Sequence, residues 1–233
     1  MVLRFPKHRG GPLQRGRLTQ IVEMADLVVD AADSFVVSYF LSDVCLAATK
    51  PLISASVLAQ SGYVGGFCGG APSLRAVFPD LPNTGATCAS AGVLGPAVGV
   101  IGALQAHCAL RVLLQASPSP LGQMVTADLA ALTFGGFDFS ASCEPDLGFH
   151  FVSRHMLRDD DLIVELRDKQ EAPDKITARA LRLGPADVPK LTPAPSQRTV
   201  LCCQSGLRAW RAAELLHARG GRDLALLAER AAT

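Results

Sequence analysis

ADLVVDAADSFVVSYFLSDVCLAATKPLISASVL, residues 25–58, decides the fold class of this chain. The apolar run at 25–33 ends in acidic residues and predicts a buried strand, residues 34–50 predict a helix, and 51–58 predict a second strand. A strand, a helix and a strand within forty residues are typical of a βαβ unit in a parallel sheet. We therefore predict an α/β fold.

Composition limits the classes of protein to which this chain can belong. Its 233 residues suffice for one large domain or two small ones, and 49% apolar against 18% charged residues is typical of a globular protein with a core. The formal net charge of +1 gives no field of one sign, so we expect no nucleic acid and no membrane surface as partner. Seven cysteines without a secretory leader predict reduced thiols and a cytoplasmic protein.

Pattern and composition divide the chain into four parts. Basic residues without an apolar core mark an N-terminal arm at 1–19. The first domain covers 20–140. Serine, proline, aspartate and histidine then accumulate in a predicted linker at 141–159. The second domain covers 160–233.

Further strands are predicted in both domains. The first domain adds a strand at 62–68 and a hairpin or strand pair within 123–139. The second begins with a strand at 160–168 and ends with a last strand or a short helix at 223–229. These elements keep the whole chain in the α/β class.

GVLGPAVGVIGALQAHCALRVLLQ, residues 92–115, is long enough for a membrane span. Gln105, His107 and Arg111 interrupt its C-terminal half, and charge inside a bilayer is costly, so we predict a soluble helix buried on most sides. Its glycines would let a neighbouring backbone come close, in this chain or in a second copy; they are Gly92, Gly95, Gly99 and Gly102.

The stretch VLCCQSGLRAWRAAELL, residues 200–216, places Cys203 between a short apolar strand and a helix. A polar loop at a helix N-terminus can turn its N–H groups inward, and such a nest attracts an anion and lowers the pKa of a thiol. Cys203 is therefore a candidate reactive cysteine, although a small buried hydrophobe is the alternative. Cys202, inside the strand, is predicted to be such a hydrophobe. The reactive interpretation requires that reagents reach the Cys203 thiol in the folded protein.

Three more residues are candidates for a site. Asp30 and Asp33 follow the first strand, where ligands bind in open α/β sheets, and could hold magnesium or a ribose hydroxyl. The alternative is helix capping by Asp33 or Ser34. Cys88 lies in NTGATCASAGVLGP, a predicted exposed loop before a helix, and is either a nucleophile or a surface residue without a role.

Metal and phosphate motifs are missing from the sequence. No two cysteines are separated by two residues, and the five histidines form no ligand cluster, so no metal site is predicted. Neither G-x-G-x-x-G nor G-x-x-x-x-G-K-[ST] occurs.

Four segments in order resemble one family: ADLVVDAADSF, KPLISASVLAQSGYVGGF, RAVFPDLP and CASAGVLGPAVGVIGALQAHCALRVLL. They are similar to the C-terminal two-thirds of the ThiF/MoeB-type, ubiquitin-activating-enzyme-like adenylyltransferases. The block from about 155 to 233 resembles a rhodanese-like domain, with CQSGLRA in place of that family's Cys-Arg-Ser-Gly-x-Arg-Ser loop. The resemblance implies a partial Rossmann-like adenylyltransferase domain followed by a small rhodanese-like α/β domain.

This resemblance implies an adenylyltransferase/sulfurtransferase that acts on the C-terminus of a ubiquitin-like sulfur-carrier protein in molybdopterin or thiamine biosynthesis. ATP and magnesium would be its cofactors, and a homodimer its assembly. Asp33 would lie on the nucleotide and magnesium side, and Cys88 would match a crossover-loop cysteine of thiamine-type members. Cys203 would carry a persulfide, held by Arg208 and the loop amides.

The chain also departs from the family. The family's glycine-rich nucleotide loop has no counterpart before residue 20, so ATP binding by this chain alone is expected to be impaired. Ser73 and Ala76 replace the first zinc pair and Cys143 has no partner nearby, so no zinc is expected. Gln204 replaces a basic residue of the rhodanese loop. The alternatives are a non-catalytic docking or dimerisation module, or a stand-alone rhodanese-type sulfurtransferase.

Overall fold

The computed structural model of the protein describes residues 15–81, 92–146, 148–194 and 196–229. Its strands form two five-stranded sheets, which follow one another along the chain.

The first sheet has the strand order β1-β2-β3-β4-β5. Strands β1 and β2 pair in parallel on either side of α2, which confirms the predicted βαβ unit. The remaining strands pair antiparallel as two hairpins, so the parallel arrangement ends at β2. The elements are α1 (Arg15–Met24), β1 (Val28–Asp30), α2 (Phe35–Ala47), β2 (Pro51–Leu58), β3 (Ser61–Cys68), α3 (Leu74–Val77), α4 (Gly95–Leu113), β4 (Gln123–Asp128) and β5 (Thr133–Asp138).

Helix α2 ends at a left-handed residue. Thr49 has a φ of +52°, and the Lys50 N–H donates to the Cys45 carbonyl at 2.8 Å, so the last turn closes as a Schellman motif. Pro51 then starts β2, a position where a strand tolerates a missing N–H. This tight exit lays α2 back along the sheet and directs β2 beside β1.

The second sheet is parallel throughout, in the order β6-β10-β9-β7-β8. Strand β6 lies within 141–159, the range predicted as a linker, and pairs with β10 of this sheet. The region predicted as a strand or a short helix at 223–229 is a strand. The elements are β6 (His150–Phe151), β7 (Leu162–Glu165), β8 (Leu181–Arg182), β9 (Thr199–Cys203), α5 (Leu207–Ala218) and β10 (Leu224–Ala228), with short 3₁₀ turns at Arg154–Met156 and Val188–Lys190.

Helix α4 is less buried than its sequence predicts. One stripe, spaced at four residues, packs on the first sheet: Ala97, Ile101, Gln105 and Ala109. The opposite face, including Leu110 and Leu114, is exposed, so the expectation of burial on most sides is wrong. By length and composition alone, α4 is the single helix among the described residues that could cross a membrane. A Cβ on Gly95, Gly99 or Gly102 would meet nothing within 4 Å, so no described backbone approaches these glycines.

One hydrophobic core joins the two sheets. Tyr39 of α2 and Trp210 of α5 have ring centroids 6.1 Å apart, and Phe149 packs edge-on against Trp210 at 5.2 Å. Charged side chains lie beside this core. Asp43 of α2 pairs with Arg75 at 2.6 Å and with the His150 Nδ1 at 3.1 Å. Helix α2 therefore contacts the second sheet as well as its own.

Candidate functional site at the end of strand β9

Cys203 is the last residue of β9, and its sulfur accepts hydrogen bonds from the following loop. The Gly206 N–H donates to Sγ at 3.1 Å, and the Ala209 N–H donates at 3.4 Å. Gly206 is the N-cap of α5 with a φ of +88°, a left-handed conformation that glycine adopts without strain. Two backbone donors at a helix N-terminus therefore surround this sulfur, an arrangement that stabilises a thiolate or another sulfur anion.

The Cys203 side chain has no exposed surface. A Cβ on Gly206 would lie 2.8 Å from Phe151 Cε1 and 3.0 Å from Val36 Cγ2, so strand β6 and helix α2 press on the loop. Gln204 and Ser205 at the loop tip are exposed. Reagents reach the sulfur only if the loop or α2 moves, and the accessible thiol that the reactive interpretation requires is not present in this conformation.

Arg208 turns its guanidinium towards the segment that follows β7. Its Nη1 donates to the Leu166 carbonyl at 3.2 Å, and its Nη2 pairs with the Glu171 carboxylate. The hydrogen bond that Arg208 donates to Glu171 raises the pKa of Arg208 above its ordinary value. Arg208 thereby ties α5 to residues 166–171, and its role towards the sulfur of Cys203 stays a prediction.

Cys202 differs from Cys203 because its side chain faces the other side of the sheet. It lies in a separate buried cluster with Ile163 and Val200. Burial and, to a smaller extent, the nearby Glu165 carboxylate raise the pKa of Cys202 to about 12. Cys202 is therefore a thiol at neutral pH, as its place inside the strand predicts.

A buried ion pair beside this site escaped the sequence analysis. Arg167 donates from Nε and Nη2 to the Glu165 carboxylate at 2.8 and 2.7 Å, and the Ile176 N–H donates to the same carboxylate at 3.0 Å. Burial acts to raise the pKa of Glu165, but these hydrogen bonds outweigh it and hold the pKa below its ordinary value. The pair fixes the carboxyl end of β7. The sequence did contain an indication of this pair: Glu165 and Arg167 are opposite charges on either side of Leu166, at the end of an apolar strand.

The structure places Asp30 and Asp33 in different surroundings. The Asp30 carboxylate is buried and accepts from the Ala32 N–H at 3.1 Å and the Ser54 hydroxyl at 2.8 Å. Asp33 is exposed, with a φ of +49°, directly before α2. Ser34 is the N-cap of α2, but its side chain makes no capping hydrogen bond. Asp30 is therefore engaged by the protein itself, and a ligand role stays a prediction for both residues.

Two further predictions concern a thiol and a metal. Cys88 lies outside the described residues. Within 15–81, 92–146, 148–194 and 196–229, no group of three or more histidine, cysteine, aspartate or glutamate side chains could hold a metal ion. Ser73, which stands where the resemblance implies a zinc ligand, is bonded to Glu144: the Ser73 N–H donates to this carboxylate at 2.6 Å and the hydroxyl donates to it at 2.5 Å. These hydrogen bonds join the start of α3 to the residues that follow β5.

The model of the ThiF family matches residues 7–145, more than half of the chain. The chain belongs to the ThiF family. The match begins inside the predicted arm at 1–19, where α1 also begins. The α/β prediction and the recognition of a ThiF/MoeB-type adenylyltransferase relative are confirmed, whereas the rhodanese-like second domain stays a prediction.

Two curated relatives show what this ThiF-family chain is similar to. It is 40% identical over 119 residues to the adenylyltransferase and sulfurtransferase MOCS3 of Aedes aegypti, covering 49% of this chain and 27% of that protein. It is 32% identical over 124 residues to the SAMP-activating enzyme E1 of Haloferax volcanii, covering 52% of this chain and 46% of that protein. The matched part thus spans less than half the length of either relative.

Among solved structures, the chain is similar to the microcin C7 biosynthetic enzyme MccB in complex with N-formylated MccA. The TM-score is 0.47 at 17% identity, covering 58% of this chain and 44% of that one.

Proposed function

We propose that this ThiF-family chain serves a ubiquitin-like sulfur-carrier protein as an adenylyltransferase/sulfurtransferase relative, with Cys203 as the residue that carries sulfur. The observation that supports this proposal is the pair of backbone N–H groups, from Gly206 and Ala209, on the Cys203 sulfur. The curated relatives named adenylyltransferase and sulfurtransferase point to the same chemistry. Molybdopterin and thiamine biosynthesis are the two pathways that the resemblance offers.

The sulfur step needs no redox cofactor. The Cys203 thiolate attacks the sulfane sulfur of a donor such as thiosulfate, a sulfur–sulfur bond forms, and sulfite leaves with the electron pair of the bond that breaks. The product is a persulfide anion on Cys203. The donors that now face Sγ are positioned to stabilise negative charge there, since backbone N–H groups at a helix N-terminus favour anions. A thiol or cyanide acceptor then takes the outer sulfur and regenerates the thiolate.

Access is the second requirement of this chemistry. Cys203 is fully buried, so the loop at 204–206 has to separate from Val36 and Phe151 before a donor arrives. The tip residues Gln204 and Ser205 already face solvent. Local opening of a short surface loop costs far less free energy than global unfolding, so this motion is compatible with a stable fold.

The adenylation step is not assigned to this chain. The resemblance implies ATP and magnesium, but both Asp30 carboxylate oxygens are used by the Ala32 N–H and the Ser54 hydroxyl. Of the two predicted aspartates, Asp33 is the one whose side chain is exposed to solvent. We therefore propose that ATP chemistry is impaired or depends on another chain.

A homodimer belongs to the same proposal. The exposed face of α4 carries Val98 and Leu110, and a Cβ on Gly99 or Gly102 would meet nothing within 4 Å among the described residues. Such a face suits a second copy of the chain, in agreement with the resemblance.

The deciding experiment measures sulfur on Cys203. After incubation with thiosulfate, intact-mass analysis should show one added sulfur atom that cyanide removes as thiocyanate. Cys203→Ser should abolish this addition, while Cys143→Ser, which changes an exposed cysteine, should retain it. Full sulfur transfer by the Cys203→Ser variant would refute the proposal.

The burial of Cys203 favours a second candidate, a non-catalytic docking module for the same carrier protein. Binding of a ubiquitin-like carrier in a pull-down, together with no persulfide under the donor treatment, would establish this alternative. Robust exchange of pyrophosphate into ATP by the isolated chain would contradict the proposal that its ATP chemistry is impaired or depends on another chain.

A further inference from the structure

A cleft of about 590 Å³ lies beside the edge strand β8, between the residues that follow β7 and the start of β8. Its walls include Lys169, Asp174, Lys175, Thr177 and Arg182. Glu171 and Leu166 of the same segment bond to Arg208 of α5. No role of Cys203 uses this cleft.

The charge of the cleft is unbalanced. Three cationic side chains face one carboxylate, that of Asp174. None of the ion pairs among the described residues involves Lys169, Lys175 or Arg182. Cations gathered in a concave surface raise the local concentration of anions.

Backbone contacts hold two of these cations in place. The Lys175 ammonium donates to the Ala180 carbonyl at 2.6 Å, and Arg182 Nη2 donates to the Ala172 carbonyl at 2.6 Å. Each contact uses one hydrogen of a group that has several, so donors remain for a ligand. These two long side chains are therefore already ordered in the free protein, and a ligand would not have to order them on binding.

Two polar atoms of the same walls have no hydrogen-bond partner among the described residues. They are Arg182 Nε and Thr177 Oγ1, and both are buried. A buried polar atom without a partner is costly, so each one in a native protein needs an explanation, and a bound ion is one such explanation. Arg182 Nε can only donate, and the Thr177 hydroxyl can donate as well as accept, so one acceptor would satisfy both atoms. The three cationic side chains favour an acceptor with negative charge.

We propose that this cleft binds a tetrahedral oxyanion, a phosphate or sulfate group, carried on a small organic molecule. Four oxygens in different directions suit donors that are spread over Lys169, Lys175, Thr177 and Arg182 better than the two oxygens of a carboxylate. The cleft is also far larger than a bare ion needs, since one water takes about 30 Å³. The volume beyond the anion leaves room for the group that is esterified to it.

The test uses inorganic phosphate and phenyl phosphate as probes, by calorimetry at constant ionic strength with chloride as the reference. Lys169→Gln should weaken phosphate binding about tenfold, the loss of one charge-assisted hydrogen bond. Lys190→Gln removes an equal charge from the exposed pair with Asp187 and should leave the affinity unchanged. Tighter binding of phenyl phosphate than of phosphate indicates an ester, and equal binding indicates the free ion alone, which overturns the organic part of the proposal.

Thr177→Val provides a readout that does not depend on charge. It replaces a buried hydroxyl without a partner by an isosteric methyl group, so the free protein should be as stable as the wild type or more stable, while phosphate affinity falls. Unchanged phosphate affinity in both Lys169→Gln and Thr177→Val, or equal weakening by Lys190→Gln, would overturn the proposal. Cys203→Ser should bind phosphate as the wild type does, which separates this cleft from the sulfur chemistry.

Discussion

Val36 of helix α2 packs against Gly206, three residues after Cys203: its Cγ2 would lie 3.0 Å from a Cβ placed on that glycine. A residue of the first sheet's layer thus covers the cysteine loop of the second sheet. We expect this contact to limit the access of solvent to the sulfur of Cys203, which has no exposed surface.

Val36→Ala should therefore increase the reactivity of Cys203 towards alkylating agents. Truncation removes packing worth about 1 kcal/mol, which raises the population of the open loop by about fivefold. Peptide mapping after timed iodoacetamide treatment measures this rate at Cys203. The matched control is Val98→Ala on the exposed face of α4. An unchanged rate in Val36→Ala would show that this contact does not gate the thiol.

Gly206→Ala should destabilise the fold by about 1–3 kcal/mol, because the position has a left-handed φ of +88° and the new Cβ would lie 2.8 Å from Phe151 Cε1. Gly99→Ala serves as the opposite control. A Cβ there meets nothing within 4 Å, and alanine is the better helix former by about 1 kcal/mol, so this variant should be as stable as the wild type or more stable. Urea unfolding measures both, and equal midpoints for the two variants would contradict the strain assigned to Gly206.

Glu165→Gln should cost about 3–5 kcal/mol, because it leaves the buried guanidinium of Arg167 without its counter-ion. Asp187→Asn removes one member of the exposed Lys190–Asp187 pair and should cost less than about 1 kcal/mol. Denaturant titration of both variants gives the comparison. A loss below 1 kcal/mol for Glu165→Gln would mean that the pair contributes nothing beyond a surface contact.

Stability should fall steeply in acid. Burial acts to raise the pKa values of Glu165 and Asp161, but hydrogen bonds from Arg167 and Arg198 hold both below their ordinary values of 4.5 and 3.8. A carboxyl group with a lowered pKa stabilises the fold above its unfolded pKa and loses that contribution as the pH falls through its folded value. The Tm should therefore stay level between about pH 7 and 5 and drop below about pH 4.

The variants Glu165→Gln and Asp161→Asn test this pH dependence directly. Because each removes one titrating group, the drop in Tm below about pH 4 should be shallower in both, in addition to the lower Tm at neutral pH. Calorimetric scans from pH 7 to pH 3 give these curves. Parallel curves for wild type and variants would assign the acid loss to other groups.

Local patterns predicted what depends on neighbouring residues. The acidic end of β1, the apolar helix α2 and the apolar start of β2 were readable at 25–58, and so was the order of strand, loop and helix around Cys203. The antiparallel turn after β2 was not, because its connection is Ala59-Gln60, with Ala59 at a φ of +53° in place of the usual glycine or asparagine.

The sequence could not predict contacts between distant parts of the chain. The sequence places no residue of α2 near the cysteine loop, yet Val36 covers it. Helix α4 has apolar residues on most of its sides, and only its packing on β2 and β3 shows that a single stripe is buried. In the sequence, Glu165 and Arg167 look like ordinary charged residues at the end of a strand. Their hydrogen bonds with the Ile176 N–H and the Glu229 carbonyl appear only in the folded chain.

The aromatic contact between Tyr39 and Trp210 has a consequence for how the molecule comes apart. One apolar cluster includes side chains from both sheets. Unfolding of either sheet would therefore expose apolar side chains of the other sheet to water. Heating should accordingly give one cooperative transition rather than two, and a cut between the sheets should leave fragments that expose the faces they once hid from each other.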